Sequence, residues 1–241
     1  MPSGSIDRAE LNRLRSEVLA ANLELVERGL VLYTFGNASG IDRERGLVAI
    51  KPSGVAYAEL RAEDLPVFTL DGKLVEGKLK PSSDLDTHLH LYREFAEIGA
   101  VVHTHSEYAT ARAQAGRAIP AYGTTHADYF HGPVPVTAPL TDAEIAEDYV
   151  LNTGVAITRL FAGGGTDPLA VPAVLVAGHA PFVWGRTPSE AAHNAVVLEA
   201  VARMAYLTEM VNASSEPVSQ TLLDRHYSRK HGATKTYGQG W

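Results

Sequence analysis

The chemistry in this chain is concentrated in three histidines and an aspartate. His103 and His105 form a His-x-His pair behind the apolar run Ala100-Val101-Val102, with Asp84 upstream and His179 downstream. Side chains alternate between the faces of a β-strand, so residues i and i+2 point the same way. A strand over Ala100 to His105 therefore aims two imidazoles at one point, at the carboxyl end where open α/β sheets place their ligands. His179 and Asp84 would complete a site of three nitrogens and one carboxylate. Neutral imidazole suits first-row transition metals, with zinc the commonest for such a set. Spacing alone leaves a second reading open, because ten histidines can place a pair two apart by chance, and paired imidazoles often serve only as hydrogen-bonding groups.

Three small-residue segments could cradle an anion: Gly36-Asn37, Lys51-Pro52-Ser53-Gly54 and Pro81-Ser82-Ser83. Glycine lets a backbone N–H approach closely, hydroxyls and helix amino termini add donors, and Lys51 could add charge. The same segments are ordinary turn chemistry. Thr124-Thr125-His126-Ala127-Asp128-Tyr129 sets polar groups in an apolar region. Asp128 there could move a proton beside a bound substrate, or could simply cap a turn. Tyr237 lies in a glycine-rich tail and acts only if something, such as a neighbouring subunit, orders it. His88 and His90, two apart on an expected helix, do not share a face and need no special role. His193 reads as packing or surface. His226, Arg229 and His231 read as a basic helix end complementing the dipole.

These residues need a scaffold. Asp7 to Arg28 reads as an amphipathic helix with Asp7 and Glu10 at capping-box spacing and Gly29 as its stop. Strands are expected over Leu30 to Thr34, Gly46 to Lys51, Leu65 to Thr69 and Lys73 to Val75, with Asp71-Gly72 as a hairpin turn. The segment Gly36 to Gly40 then falls in a loop. Ser83 is expected to cap a helix running to Ala96, and Glu107 to Ala115 forms another after the histidine strand. Thr141 with Glu144 caps an acidic helix, followed by a shorter one around Gly154 to Phe161 that Gly163-Gly164-Gly165 ends. Ala173 to Val176 and Phe182 to Trp184 read as strands flanking His179. The clearest helix runs from Pro188 to about Met210, with Thr187 as cap and Glu190 closing the box. A last helix covers Gln220 to Lys230. With no repeat and no dividing linker, one α/β domain over 1–241 is expected.

Composition narrows the class. The chain has 241 residues, 45% hydrophobic and 20% charged, an ordinary balance for a soluble globular protein. A net charge of −7 argues against general nucleic-acid binding, which needs a basic face. It leaves room for a locally positive pocket. The absence of cysteine excludes disulfides and thiolate metal sites and suits a reducing cytoplasm. There is no apolar run of about 18 residues, so no membrane span is expected. Met1 to Ser5 lacks the basic-then-apolar pattern of a secretory signal, and residues 1–8 read as a loose tail.

The motifs occur in one order: Gly36-Asn37-Ala38-Ser39, Lys51-Pro52-Ser53-Gly54-Val55, Lys80-Pro81-Ser82-Ser83-Asp84, His103-Thr104-His105-Ser106, Gly123-Thr124-Thr125-His126-Ala127-Asp128-Tyr129-Phe130 and His179-Ala180-Pro181-Phe182. Thr221 to Tyr227, Arg229 to Gly232 and Tyr237-Gly238-Gln239 follow. Together they resemble the class II aldolase/epimerase family, and its epimerase branch in particular, from about Leu14 to Gln239. The resemblance implies a three-layer α/β/α domain around a central, mainly antiparallel or mixed sheet. It implies zinc, with manganese or cobalt as alternatives, on His103, His105 and His179, with Asp84 at the carboxylate position next to the metal. Gly36, Asn37, Ser53, Gly54, Ser82 and Ser83 match substrate and phosphate contacts, with Lys51 beside them. Asp128 and Tyr237 match the two acid–base residues. A homotetramer with active sites between subunits is implied, the tail over 232–241 serving a neighbour.

The implied activity is interconversion of L-ribulose 5-phosphate and D-xylulose 5-phosphate by cleavage and re-formation of the C3–C4 bond, in arabinose catabolism or in ascorbate or gulonate breakdown. The alternatives are a sugar-phosphate aldolase and, more remotely, a non-catalytic scaffold. Two departures stand out. Phe35 replaces a tryptophan common before Gly-Asn, and Ala177-Gly178 replaces a more polar pair before His179.

Overall fold

The computed structural model describes residues 8–232. Asp7 as a cap, residues 1–7 of the expected loose tail, and Tyr237 lie outside the described residues, while Arg8, the last residue of that expected tail, opens the first helix. The helices are α1 (Arg8–Glu27), α2 (Leu85–Glu94), α3 (Glu107–Gln114), α4 (Thr124–Ala127), α5 (Asp142–Gly164), α6 (Pro188–Val211) and α7 (Gln220–His231). The strands are β1 (Asn37–Asp42), β2 (Leu47–Ile50), β3 (Val67–Thr69), β4 (Leu74–Glu76), β5 (Ala100–His103), β6 (Ala173–Leu175) and β7 (Pro181–Gly185). They form one sheet in the order β4-β3-β2-β1-β5-β7-β6. Each neighbouring pair is antiparallel.

The period-2 alternation of the strands divides the core between two faces. Ala38, Ala100, Val102 and Val183 pack with Ala191, Ala195 and Leu198 of α6, Leu25 of α1 and Ala109 of α3. On the opposite face Ile41, Val101, Phe182 and Trp184 pack with Leu89 and Tyr92 of α2 and Ile157 and Phe161 of α5. This is the expected three-layer α/β/α arrangement around an antiparallel sheet. Fully burying one such aliphatic or aromatic side chain contributes roughly 1.5–3 kcal/mol. Trp184 is buried without loss because its indole N–H donates to the Pro168 carbonyl at 2.7 Å.

The long elements formed where their end signals predicted. Thr187 accepts from the Glu190 N–H at the start of α6, with Pro188 in the first turn. Thr141 and Glu144 form a reciprocal capping box on α5. Four expectations shift. Leu30 to Thr34 is not a strand. Phe35 closes a turn on Leu32, Tyr33 has φ 53° and Gly36 has φ 74°, so the chain coils there. The strand is instead Asn37–Asp42, the segment expected to be a loop. It is built of small residues because two helices press on it: a Cβ on Gly40 would lie 2.7 Å from Val18 and 3.1 Å from Pro188. β5 stops at His103, so His105 lies just beyond the strand. Ser83 does not cap α2; Asp84 stands at that position, and its carboxylate makes no cap bond. Finally, α5 runs to Gly164 as two segments joined at Asp148 (φ −161°, ψ 92°). Gly154 lies inside it because a Cβ there would press on His90 at 3.1 Å.

The histidine strand is held in place by a glycine. The Ile41 N–H donates to the Gly99 carbonyl and the Gly99 N–H to the Gly185 carbonyl, tying three strands together at the start of β5. A Cβ on Gly99 would sit 2.0 Å from the Arg186 carbonyl oxygen. Backbone cannot move aside as a flexible side chain can. Gly99→Ala should therefore lower the unfolding free energy by about 1–3 kcal/mol or more, read as an earlier urea midpoint.

Candidate active site

β1, β5 and the β6–β7 turn bring their functional residues to one end of the sheet. Asn37 pairs with His103 across β1 and β5, and His103 pairs with Phe182 across β5 and β7. The His103 ring stacks on Phe182 at 4.2 Å. Its Nδ1–H donates to the Pro181 carbonyl at 2.9 Å, which leaves Nε2 bare. His105, past the strand end, turns back so that its Nε2 lies 3.2 Å from that of His103. His179 completes the cluster, with one ring nitrogen of each of the three within 4.8 Å of the others.

This donor set fits a metal ion. Two nitrogens each about 2.0–2.1 Å from one tetrahedral zinc lie roughly 3.3 Å apart, close to the 3.2 Å found. The imidazoles are also held neutral, as ligands must be. Burial lowers the proton affinity of His103 and His105. Burial, then the neighbouring His103 and His105, push His179 down to about 4.

Asp84 completes the wall. Its Oδ2 accepts from Asn37 Nδ2 at 2.7 Å and from the Ser82 hydroxyl at 3.2 Å. Burial pushes this carboxyl up, but the imidazoles of His103 and His88 and the Asn37 bond outweigh it and hold it below its usual range. The Asn37 Oδ1 is buried and unpartnered.

Beside the histidines the anion segments close on each other. The Ser53 N–H donates to the Lys80 carbonyl and the Ser82 N–H to the Lys51 carbonyl, and Pro52 bridges Pro81. Gly36 is required there, because a Cβ would lie 2.9 Å from the His103 carbonyl and its φ is positive. Lys51 is buried, with long contacts of 3.4 and 3.3 Å to the carbonyls of Thr34 and Pro52. Its ammonium sits 4.6 Å above the Tyr57 ring. Burial lowers its proton affinity. A buried ammonium held by carbonyls and a ring is suited to an incoming anion.

Gly36, Asn37, Lys51, Ser53, Gly54, Ser82, Ser83, Asp84, His103, His105 and His179 line one cavity of about 540 Å³. Phe35, Tyr149 and Val150 line it too. Asp128 does not. It follows α4, where its Oδ1 accepts from His226 and from Arg229 at 3.0 and 3.1 Å, and Lys230 lies 3.8 Å from Oδ2. His226, Arg229 and His231, read from sequence as a solvated helix end, thus gather on Asp128, His231 bonding its backbone carbonyl.

Residues 16–206 match the family described as Class II Aldolase and Adducin N-terminal domain. The chain belongs to this family. It is 50% identical over 229 residues to the L-ribulose-5-phosphate 4-epimerase UlaF of Salmonella paratyphi B, covering 95% of this chain and 100% of the relative. The corresponding protein of Salmonella typhi is equally similar, with the same coverage. Among solved structures, an L-fuculose 1-phosphate aldolase superposes with a TM-score of 0.76 at 26% identity, covering 90% of this chain and 95% of its own.

Two residues of the site escaped sequence reasoning. His88, set aside as having no role, is fully buried one turn after Asp84. Its Nδ1 lies 2.7 Å from the Ser39 hydroxyl, which lies 2.7 Å from that of Tyr92, and its Nε2 has no partner. The Asp84/His88 spacing of four was the available signal. Tyr149, at the break in α5, left no periodic signal.

Burial pushes His88 down to about 3 from an ordinary 6.5. Such a group binds a proton in the unfolded chain and not in the native one between those values, so it destabilises the fold progressively as pH falls through that window. His179 and His103 act in the same direction. The metal-free protein should therefore lose stability as pH drops below 6.5. His88→Asn, which can keep the Ser39 bond, should make that loss shallower by about one proton in the pH dependence of unfolding free energy. An unchanged slope would contradict the assignment.

Proposed function

We propose that this protein is a divalent-metal-dependent sugar-phosphate epimerase that interconverts L-ribulose 5-phosphate and D-xylulose 5-phosphate. The observation that carries this reading is the joining of three convergent imidazoles and an anion cradle in one cavity. Half-identity along the full length of epimerase relatives supports the substrate. His103, His105 and His179 would hold the metal, with Asp84 beside it; zinc is the ion that best suits the donors. Retention of all three imidazoles speaks against a non-catalytic scaffold.

C4 of the substrate bears no acidic proton, so inversion there cannot proceed by simple deprotonation. Breaking and remaking C3–C4 avoids the difficulty. A base takes the C4 hydroxyl proton as the bond breaks and an aldehyde forms. The aldehyde turns, the bond re-forms on its other face, and an acid returns a proton to the new C4 oxygen. The metal, when bound, supplies Lewis-acid stabilisation of negative charge on substrate oxygens. Lys51, Ser53, Gly54, Ser82 and Ser83 hold the phosphate so that the aldehyde fragment turns without escaping. Asn37 and Gly36 shape the wall beside it.

The acid–base pair is Asp128 and Tyr237, acting in the cavity of a neighbouring subunit of a homotetramer. Asp128's position outside its own chain's cavity supports this arrangement. So does the exposed apolar face of α6 with Met204, Leu207, Met210 and Val211. The whole chain then acts as one catalytic unit whose last residues, 232–241, serve that neighbour. The cysteine-free composition supports a cytoplasmic location. With L-ribulose 5-phosphate as substrate, the reaction would serve arabinose, ascorbate or gulonate breakdown.

Purified protein given L-ribulose 5-phosphate should form D-xylulose 5-phosphate, and a chelator should abolish this. Release of dihydroxyacetone and glycolaldehyde phosphate instead would establish an aldolase. His103→Ala should lose metal and activity while staying folded. Tyr237→Phe should lower turnover about 10²–10⁴-fold with its metal retained. Mixed and reassembled, these two inactive proteins should regain activity, because a shared site can draw its histidines from one chain and its tyrosine from another. No recovery in verified mixed oligomers would refute the intersubunit arrangement.

A further inference from the structure

The cavity contains a residue that neither the motifs nor the proposed chemistry uses. Tyr149 reaches over the histidine cluster from α5, and its hydroxyl lies 3.2 Å from His179 Nδ1. Its placement is built from the backbone up. Asp148 leaves the helical conformation and starts a new segment, its Oδ1 accepting from the Leu151 N–H at 3.0 Å as an amino-terminal cap does. Tyr149 is thus the first residue of that segment. Its carbonyl accepts from Thr153 at 2.8 Å. The next carbonyl, of Val150, accepts from Thr87 of α2 at 2.5 Å. Tyr149 is therefore pinned to the helix that begins immediately after Asp84.

His179 needs such a partner. It sits at the tip of the turn between β6 and β7, after Gly178 with φ 71°. An imidazole there can turn over and exchange the nitrogen it presents. His103 is fixed by the Pro181 carbonyl, and a second fixed ring requires a second acceptor. We infer that Tyr149 is a positioning residue of the metal centre: its hydroxyl oxygen accepts from His179 Nδ1–H and so keeps Nε2 directed at the metal. Partners of this kind set the tautomer and orientation of a ligating histidine, and losing one typically costs 10- to 100-fold in metal affinity. This inference rests on the reading of the three histidines as metal ligands.

The test compares wild type with Tyr149→Phe, each loaded with zinc or with cobalt. The hydroxyl is lost and the ring remains. Zinc release to a colorimetric chelator should be about 10- to 100-fold faster in the variant, and the visible spectrum of its cobalt form should change. Melting of the metal-free proteins should be the same. Release within about twofold of wild type with an unchanged cobalt spectrum overturns the inference. Faster release with an equally weakened metal-free fold also overturns it, since Tyr149 would then act on the fold alone. Wild type that binds neither metal refutes the metal reading itself, and this inference with it.

Discussion

Asn37, His103 and Phe182 stand side by side across three antiparallel strands, and everything at the site depends on that register. Side chains alternate strictly along a strand, so a slip of one residue would turn His103 toward α6 and put Val102 in its place. The register is held by packing on both faces. Small residues of β1 lie under α1 and α6, where Gly40 leaves no space for a Cβ. Asn22 of α1 clamps the Ala38 peptide, accepting from its N–H at 2.9 Å and donating to its carbonyl at 3.2 Å. Gly99 and Gly185 close the same strands at the opposite end.

Within this frame the charges are arranged by burial more than by pairing. Burial lowers the proton affinity of the imidazoles, while the Asp84 carboxyl, pushed up by burial, is held below its usual range by His103, His88 and the Asn37 donor. Lys51 is buried over Tyr57 and against backbone carbonyls. A neutral nitrogen cluster beside one anion attracts a cation, and a buried ammonium beside hydroxyls attracts an anion. The two subsites lie next to each other because Ser82 and Asp84 belong to the same turn. A ligand with a chelating end and a phosphate end can span the cavity.

Asp128 lies outside its own chain's cavity yet is tied firmly into the fold. Its carboxylate collects His226, Arg229 and Lys230 from α7, so the last helix is docked by the residue it surrounds. In the proposed assembly that docking orients a group for the neighbouring site. Catalysis would then depend on assembly, since the metal ligands and the acid–base pair of each site would come from different copies of the chain.

Two local signals read directly in the sequence survived folding. Thr187, Pro188 and Glu190 begin α6, and Thr141 with Glu144 begins α5, because a cap is a bond between residues three apart that needs no distant partner. The ordered motifs also brought eleven of the expected site residues into one cavity. Other features required the tertiary structure. Asn37 to Gly40 has the composition of a loop and lies in a central strand, since only small residues fit beneath two helices. Asp84 occupies a helix cap position, yet its carboxylate is drawn to Asn37 and Ser82. His88 is an unremarkable helical histidine in the sequence and a fully buried one in the fold. Tyr149 meets His179 thirty residues away only because Asp148 breaks the helix. The sequence by itself determined which groups the chain carries and where its elements begin. Their burial, and hence their protonation and orientation, was decided by contacts between distant segments, because desolvation and hydrogen-bond geometry exist only once those segments are packed.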